Sequence, residues 1–208
     1  MKTYTINILT VIVSLAMIDF CKFCPAATEK DKPPQIQASE SDIKAAFMYN
    51  FIKFTDWPAN KIFENNTITI GLLGEHDFHD AFDAIKDKKI NDNQIMVKNF
   101  GKFSQFCTTN ESGKTQFKKE IEELRKCHLL FVCDSEQKYY KDIIDSLNGW
   151  HVLSVGETED FLDAGGIITF IPGKGKATFE ISQTAAKKEK IKISSRVLRL
   201  ARKVIEAE

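Results

Sequence analysis

Residues 67–73, TITIGLL, decide the architecture of this chain. Their β-branched and apolar side chains, closed off by Gly74, read as a short buried strand. Downstream the pattern alternates. Residues 76–86 carry helical spacing through Phe78, Phe82 and Ile85, and Gln94 to Phe100 is a second, half-polar strand. A polar loop over 101–117 precedes a helix from Phe117 to Arg125, and His128 to Cys133 is a third strand. A helix over residues 139–147, a strand over 151–155 and a short helix over 158–162 then lead to Gly165-Gly166. Such alternation implies right-handed crossovers and a largely parallel sheet. Beyond the two glycines, residues 167–171 and 177–181 are apolar strands joined by Pro-Gly-Lys-Gly-Lys, a hairpin signal. A last helix is expected over 194–207, with Val197, Leu200, Ala201 and Val204 on one face and Arg196, Arg199, Arg202 and Lys203 around it.

Upstream of the first strand, residues 43–58 read IKAAFMYNFIKFTDWP. Ile43, Phe47, Asn50, Phe51 and Phe54 recur at spacings of three and four, which places them on one helical face. Ser39 and Asp42 fit a capping-box start, and Pro58 stops the helix. Asn50 is then an amide among aromatics, and a buried amide needs hydrogen-bond partners. The expected fold is α/β, one domain, with a mixed, mostly parallel sheet flanked by helices, a C-terminal β-hairpin and amphipathic helices at both ends.

The first 27 residues stand outside that fold. A positive start at Lys2, an apolar run from Ile6 to Ile18 and small residues at Ala26 and Ala27 form the pattern of a secretory signal peptide cleaved after one of those alanines. Its apolar core is short for a membrane span. Lipidation at Cys21 is disfavoured by the bulky Ile18-Asp19-Phe20 before it. Residues 28–39 read as a flexible linker and residues 40–208 as the domain. Without the leader the chain keeps 27 basic and 28 acidic side chains. That balance argues against nucleic acid or anionic membrane as a partner. Sixteen phenylalanines against two tryptophans indicate a Phe-rich core rather than an aromatic carbohydrate platform.

Cys107, Cys127 and Cys133 remain after processing, enough in an oxidising compartment for one disulfide. Cys127 and Cys133 flank one extended strand and lie about 20 Å apart, too far to bond. Cys107 is the necessary partner in any bond, with Cys127, at the strand's edge, favoured over Cys133.

Motifs for catalysis or cofactors fail on context. Gly113-Lys114-Thr115 lacks the first glycine of a phosphate loop, where Thr108 stands, and the Pro172–Lys176 turn joins two strands and aims no helix at a phosphate. His76 and His79 have a metal-compatible spacing without a third ligand, and helix-terminal capping accounts for them. His128 and His151 begin strands. There is no GxSxG elbow, Ser194 and Ser195 suit N-capping, and Asp160/Asp163 and Glu122/Glu123 suit helix surfaces. No catalytic residue, cofactor or metal site is expected.

Four segments together resemble a known family. AAFMYNFIKFTDWP, the strand CHLLFV, the block VLSVGETEDFLDAGGIITFIPGKGKATFEI and the terminus KISSRVLRLARKV occur in that family's order. The chain resembles YfiR-like proteins, which include HmsC-type regulators, over residues 40–205. The resemblance implies a periplasmic regulator that binds the periplasmic portion of an inner-membrane diguanylate cyclase and represses it, lowering cyclic-di-GMP and biofilm formation. It further implies an outer-membrane-associated partner that sequesters the regulator, and no enzyme activity. Residues 101–117 look longer than is typical of the family, which puts a family disulfide in doubt. The candidate contact residues are Asn50, Lys53, Trp57, Glu180, Ser194, Ser195, Arg196 and Arg199, and a homodimer is left open. The alternative is a small-ligand module feeding a sensor kinase or transport system. Its ligand would sit in the crevice at the strand C-termini, lined by Asn50, Lys53 and Glu180.

Overall fold

A computed structural model describes residues 38–206 apart from 62, 110–114 and 173–176. The expected signal peptide, nearly all of the linker and most of the Pro172–Lys176 turn lie outside the described residues. Helix α1, Glu40–Lys53, opens with the expected capping box: the Ser39 side chain accepts from Asp42 N–H while the Asp42 carboxylate accepts from Ser39 N–H. Then come β1 (Thr55–Asp56), β2 (Thr67–Leu73), β3 (Lys89–Ile90) and β4 (Asn93–Asn99). A small hairpin of β5 (Cys107–Thr109) and β6 (Thr115–Phe117) precedes α2 (Ile121–Arg125) and β7 (Leu129–Val132). Helix α3 (Tyr140–Leu147), β8 (Leu153–Gly156), α4 (Asp160–Asp163), β9 (Ile168–Ile171) and β10 (Thr178–Ser182) continue the chain. It closes with α5 (Gln183–Lys188), β11 (Lys192–Ile193), α6 (Ser195–Leu198) and β12 (Lys203–Ile205).

The main sheet runs β12-β10-β9-β8-β7-β2-β4-β3. β4, β2, β7, β8 and β9 are parallel neighbours, β10 is antiparallel to β9 as the hairpin requires, and β3 is antiparallel to β4. This is the mixed, mostly parallel α/β sheet read from the alternation. At the centre β7, LLFV, is apolar without interruption because both of its faces are buried. On β7, Leu129 and Phe131 join the core under α1, while Leu130 and Val132 join a second core with α2, α3 and Phe161. In the first core Phe51 meets Phe47, Phe170 and Phe179 at ring-centroid distances of 5.9, 5.8 and 4.8 Å.

The Gly-Gly signal has a local cause. Gly165 N–H bonds to Leu162 O and Gly166 N–H to Phe161 O, both at 2.9 Å, which is the Schellman closure of α4. Gly165 supplies the positive φ of 100° that the closure needs. Gly166 lies against the buried Phe161 ring, where a Cβ would come within 2.3 Å of Cδ1 and Cε1.

Three expectations are corrected. Residues 76–86 form successive turns, not a helix: Ala81, Asp83 and Ile85 N–H groups bond three residues back, and His79 holds a φ of 27°. The helical spacing still selects Phe78, Phe82 and Ile85 for the core. The expected last helix lasts one turn, after which β12 pairs in parallel with β10, and Arg202 N–H reaches Phe179 O. The β-branched Val204 and Ile205 suit a sheet edge better than a helix. Finally, all three cysteines are free buried thiols, so the Cys107–Cys127 disulfide is not formed. Each of that pair instead has its Sγ near a carbonyl one turn back, Phe103 O at 3.7 Å and Glu123 O at 3.6 Å. Burial pushes the Cys127 thiol up to about 12.

Candidate functional site

The predicted contact residues do not form one site. Asn50 is exposed, and its amide donates to Ala46 O in its own helix at 2.8 Å, so it is not the buried amide the sequence suggested. The buried stripe of α1 is Ser41, Ala45, Met48, Phe51 and Ile52. Lys53 and Arg196 do come together, both with cationic groups 5.6 Å from the centre of the half-buried Phe54 ring. The pairing of β1 with β11 makes that meeting, helped by Ser194 N–H on Phe54 O. Ser195 and Arg199 are exposed on the same short segment. Ser194 caps α6. Trp57 packs edge-on against Phe63 and His128. Glu180 is buried and bound to Arg202, whose guanidinium also reaches Glu159, so it fastens β12 to β10.

The crevice at the strand C-termini, where open α/β sheets commonly bind ligands, is filled by the start of α1. Ser41 donates to Asp77 just beyond β2, and Lys44 pairs with Glu157 just beyond β8. Glu157 also accepts from Asp134 N–H just beyond β7. His76 and His79 gather no ligand set, since His76 is engaged by Phe78 N–H and Asn99, and among the described residues no group of three His, Cys, Asp or Glu is placed to hold a metal.

A cleft of about 640 Å³ opens instead near the other end of the strands. Its floor is Thr67 and Thr69 of β2, Met96 and Lys98 of β4, and His128; α2 and the loop before β8 form its walls. Sequence reasoning missed it because these residues are scattered along the chain. Under the cleft lies a polar knot. The Lys61 ammonium is buried and donates to Arg125 O, Cys127 O and Trp150 O at 3.1, 2.7 and 3.0 Å. Buried Glu189 accepts from Gly149 N–H and His151 N–H, all at 3.1 Å. The His151 ring spans Glu189 O and Asn60 at 2.8 and 3.0 Å, on a backbone with φ of 57°. Residues 149–151 are thus gripped from three sides, and Trp150 is held out from them with Arg125 stacked 5.0 Å from its ring centre.

Burial pulls the Lys61 ammonium down to about 8 from its ordinary 10.5, against the opposing fields of Cys127 and Glu189. Between about pH 8 and the ordinary 10.5 the unfolded chain therefore binds up to one more proton than the folded chain, and stability rises with pH there. The raised Cys127 thiol works the other way, but only above the ordinary thiol value of 9.0. Between pH 8 and 9 the expected gain is up to about 1.4 kcal/mol per pH unit. Denaturant melts of wild type and Lys61→Met at both pH values test this; the gain should vanish in the variant. At pH 7 the same variant should be less stable by about 2 kcal/mol, the cost of three stranded carbonyls partly offset by relief of a buried charge. Equal stability of the two proteins at pH 7 would show that the knot contributes nothing.

The topology and the two buried layers define an α/β domain of doubly wound character, ended by an added hairpin and edge strand. The chain belongs to the YfiR/HmsC-like family, whose model matches residues 41–202. That family is known for periplasmic regulators of cyclic-di-GMP signalling and is regulatory rather than catalytic. No curated protein matches the chain. Among solved structures, a conserved domain protein from Vibrio cholerae is similar at 10% identity and a TM-score of 0.50, over 81% of this chain and 61% of that one. An ABC domain in complex with L-Trp from Streptococcus pneumoniae is similar at 15% identity and a TM-score of 0.47, over 68% of this chain. This chain spans 61% and 56% of those two chains. At such identities the first likeness speaks to the fold alone. Among the described residues no helix is long and apolar enough to cross a membrane.

Proposed function

We propose that this protein is an exported regulator that represses an inner-membrane diguanylate cyclase, or a related sensor, by direct contact with its periplasmic portion. Family membership over residues 41–202 is the observation that carries this reading. The site geometry is in keeping with it. Trp57, Glu180 and Ser194 are committed to packing, an ion pair and a cap, whereas Asn50, Lys53, Ser195, Arg196 and Arg199 are exposed and available to a partner. Arg196 and Lys53 around Phe54 give a cationic surface with an aromatic centre, which suits an acidic, partly apolar face. An outer-membrane-associated protein that sequesters the regulator would relieve the repression. The crevice needed by the small-ligand alternative is occupied by α1, and Asn50, Lys53 and Glu180 do not line the cleft.

Deleting the gene in a strain that carries the cyclase is expected to raise cyclic-di-GMP and biofilm mass, with both restored by the wild-type gene in trans. Unchanged cyclic-di-GMP would sink the reading.

A further inference from the structure

A parallel sheet normally has both faces covered. Here the second face is covered across β7 and β8 by α2, α3 and Phe161, but the crossover from β4 to β7 brings only a small hairpin and the short α2. On that face Gln94, Met96 and Lys98 of β4 stay exposed, and Thr67 and Thr69 of β2 are half-buried. The cleft occupies this gap in the layer.

We propose that the cleft is the docking groove for an apolar anchor segment of the membrane partner; this rests on the regulatory reading above. Two of the large hydrophobic side chains left exposed, Met96 at 46% and Trp150 at 42%, come from distant parts of the chain and line this one groove. Trp150 is already set in place by the grip of Lys61 and Glu189 on residues 149–151 and by Arg125 against its ring. Trp and Arg are both residue types enriched among the side chains that carry binding energy at protein interfaces, and fixing them beforehand lowers the entropy lost on binding.

The charges decide what the groove accepts. Lys98 and Lys126 are paired with Glu123, Arg125 is paired with Glu122, and the Lys61 ammonium is saturated by carbonyls. These pairs leave little net positive field to draw a phosphate or carboxylate, so the complementary occupant is neutral and apolar at the point of contact. The groove is also open: Glu64, Asn65, Met96, Lys98 and Trp150 all face solvent. Small-molecule pockets bury roughly 70–90% of their ligand. A polypeptide segment laying apolar side chains on Met96 and Trp150, framed by a self-neutralised rim, fits both facts.

The test complements the deletion strain with full-length wild type, Met96→Glu, Trp150→Ala and, as a control on α5, Lys187→Glu. Periplasmic abundance and melting temperature are measured beside cyclic-di-GMP. In parallel, a photo-crosslinking benzoylphenylalanine is placed at position 96 or 187 in living cells. Stable, normally abundant Met96→Glu and Trp150→Ala proteins that have lost repression, with affinity for the partner down roughly tenfold, support the proposal. So does an adduct with an inner-membrane protein from position 96 and not from 187. Full repression by both cleft variants, with no adduct at 96, overturns the groove and leaves the regulatory reading standing. Failure of the deletion itself to change cyclic-di-GMP overturns the regulatory reading instead, and with no adduct at 96 it removes the groove as well. A small molecule that copurifies with wild type and is lost in Met96→Glu also overturns the proposal.

Discussion

Phe51→Ala is expected to lower the unfolding free energy by about 4 kcal/mol. The ring is 1% exposed and stands where α1 crosses the hairpin strands, touching Phe47, Phe170 and Phe179. Truncation removes the transfer energy of the ring and leaves a cavity walled by three other rings, each held by its own strand or helix and slow to collapse. Phe51→Leu fills most of that space and should cost about 1–1.5 kcal/mol. Asn50→Ala, one residue away on the exposed side, should stay within about 0.5 kcal/mol. Denaturant melts of the three variants check the order. A loss below about 1.5 kcal/mol for Phe51→Ala would mean that α1 is not anchored where the structure places it.

Gly166→Ala is expected to cost about 3 kcal/mol, at the upper end for overpacking. The added methyl would lie 2.3 Å from two atoms of the Phe161 ring, and that ring cannot retreat: Gly156 of β8 presses on it from another side, where a Cβ would also come within 2.3 Å, and Tyr140 meets it edge-on at 5.0 Å. Gly165→Ala is a different lesion. It strains a backbone with a φ of 100° while its Cβ would lie 3.3 Å from the nearest atom, Ile144 Cγ2, and should cost about 1 kcal/mol. The two glycines are therefore separable by melting experiments. The pair Gly166→Ala with Phe161→Leu should lose clearly less than the sum of the single losses, because both changes act on one contact. Strict additivity would contradict the packing described.

Much of the fold was legible because its strands are short, β-branched and punctuated by glycine. LLFV is apolar on successive residues, and the structure buries it on both faces, as it does the second half of TITIGLL. Two segments misled in the same way. Residues 76–86 and 194–207 both repeat apolar residues at helical intervals, yet the first is a string of turns and the second ends in an edge strand. Spacing identified the inward side chains in the first case, since turns bonded three residues back keep nearly the same facing. In the second, pairing with β10 outweighed local periodicity and left Leu200, expected on the apolar face, 68% exposed. Helix α1 was placed correctly but turned about its axis. Phe47, Met48, Tyr49, Phe51 and Ile52 wrap most of its circumference, so spacing alone chose no face and put Asn50 inside. The cleft was barely legible. It arises from a missing piece of a layer, and its key cation, Lys61, sits in no motif. The one available signal was the alternation of β4, which placed Met96 among polar neighbours on what should have been the wetter face.

The β1–β11 pairing also bears on when the chain can fold. It joins Thr55 to Ile193, while α1 leans on Phe179, a residue that β10 can hold in place only once its partners arrive. Such long sequence separations delay folding until nearly the whole chain is available. In the exported regulator proposed above, a polypeptide emerging residue by residue would have no completed first helix layer to obstruct passage through a narrow translocation channel. On that reading the late stitch would keep the chain threadable, and the same stitch would commit it to its native state once the last strand had arrived.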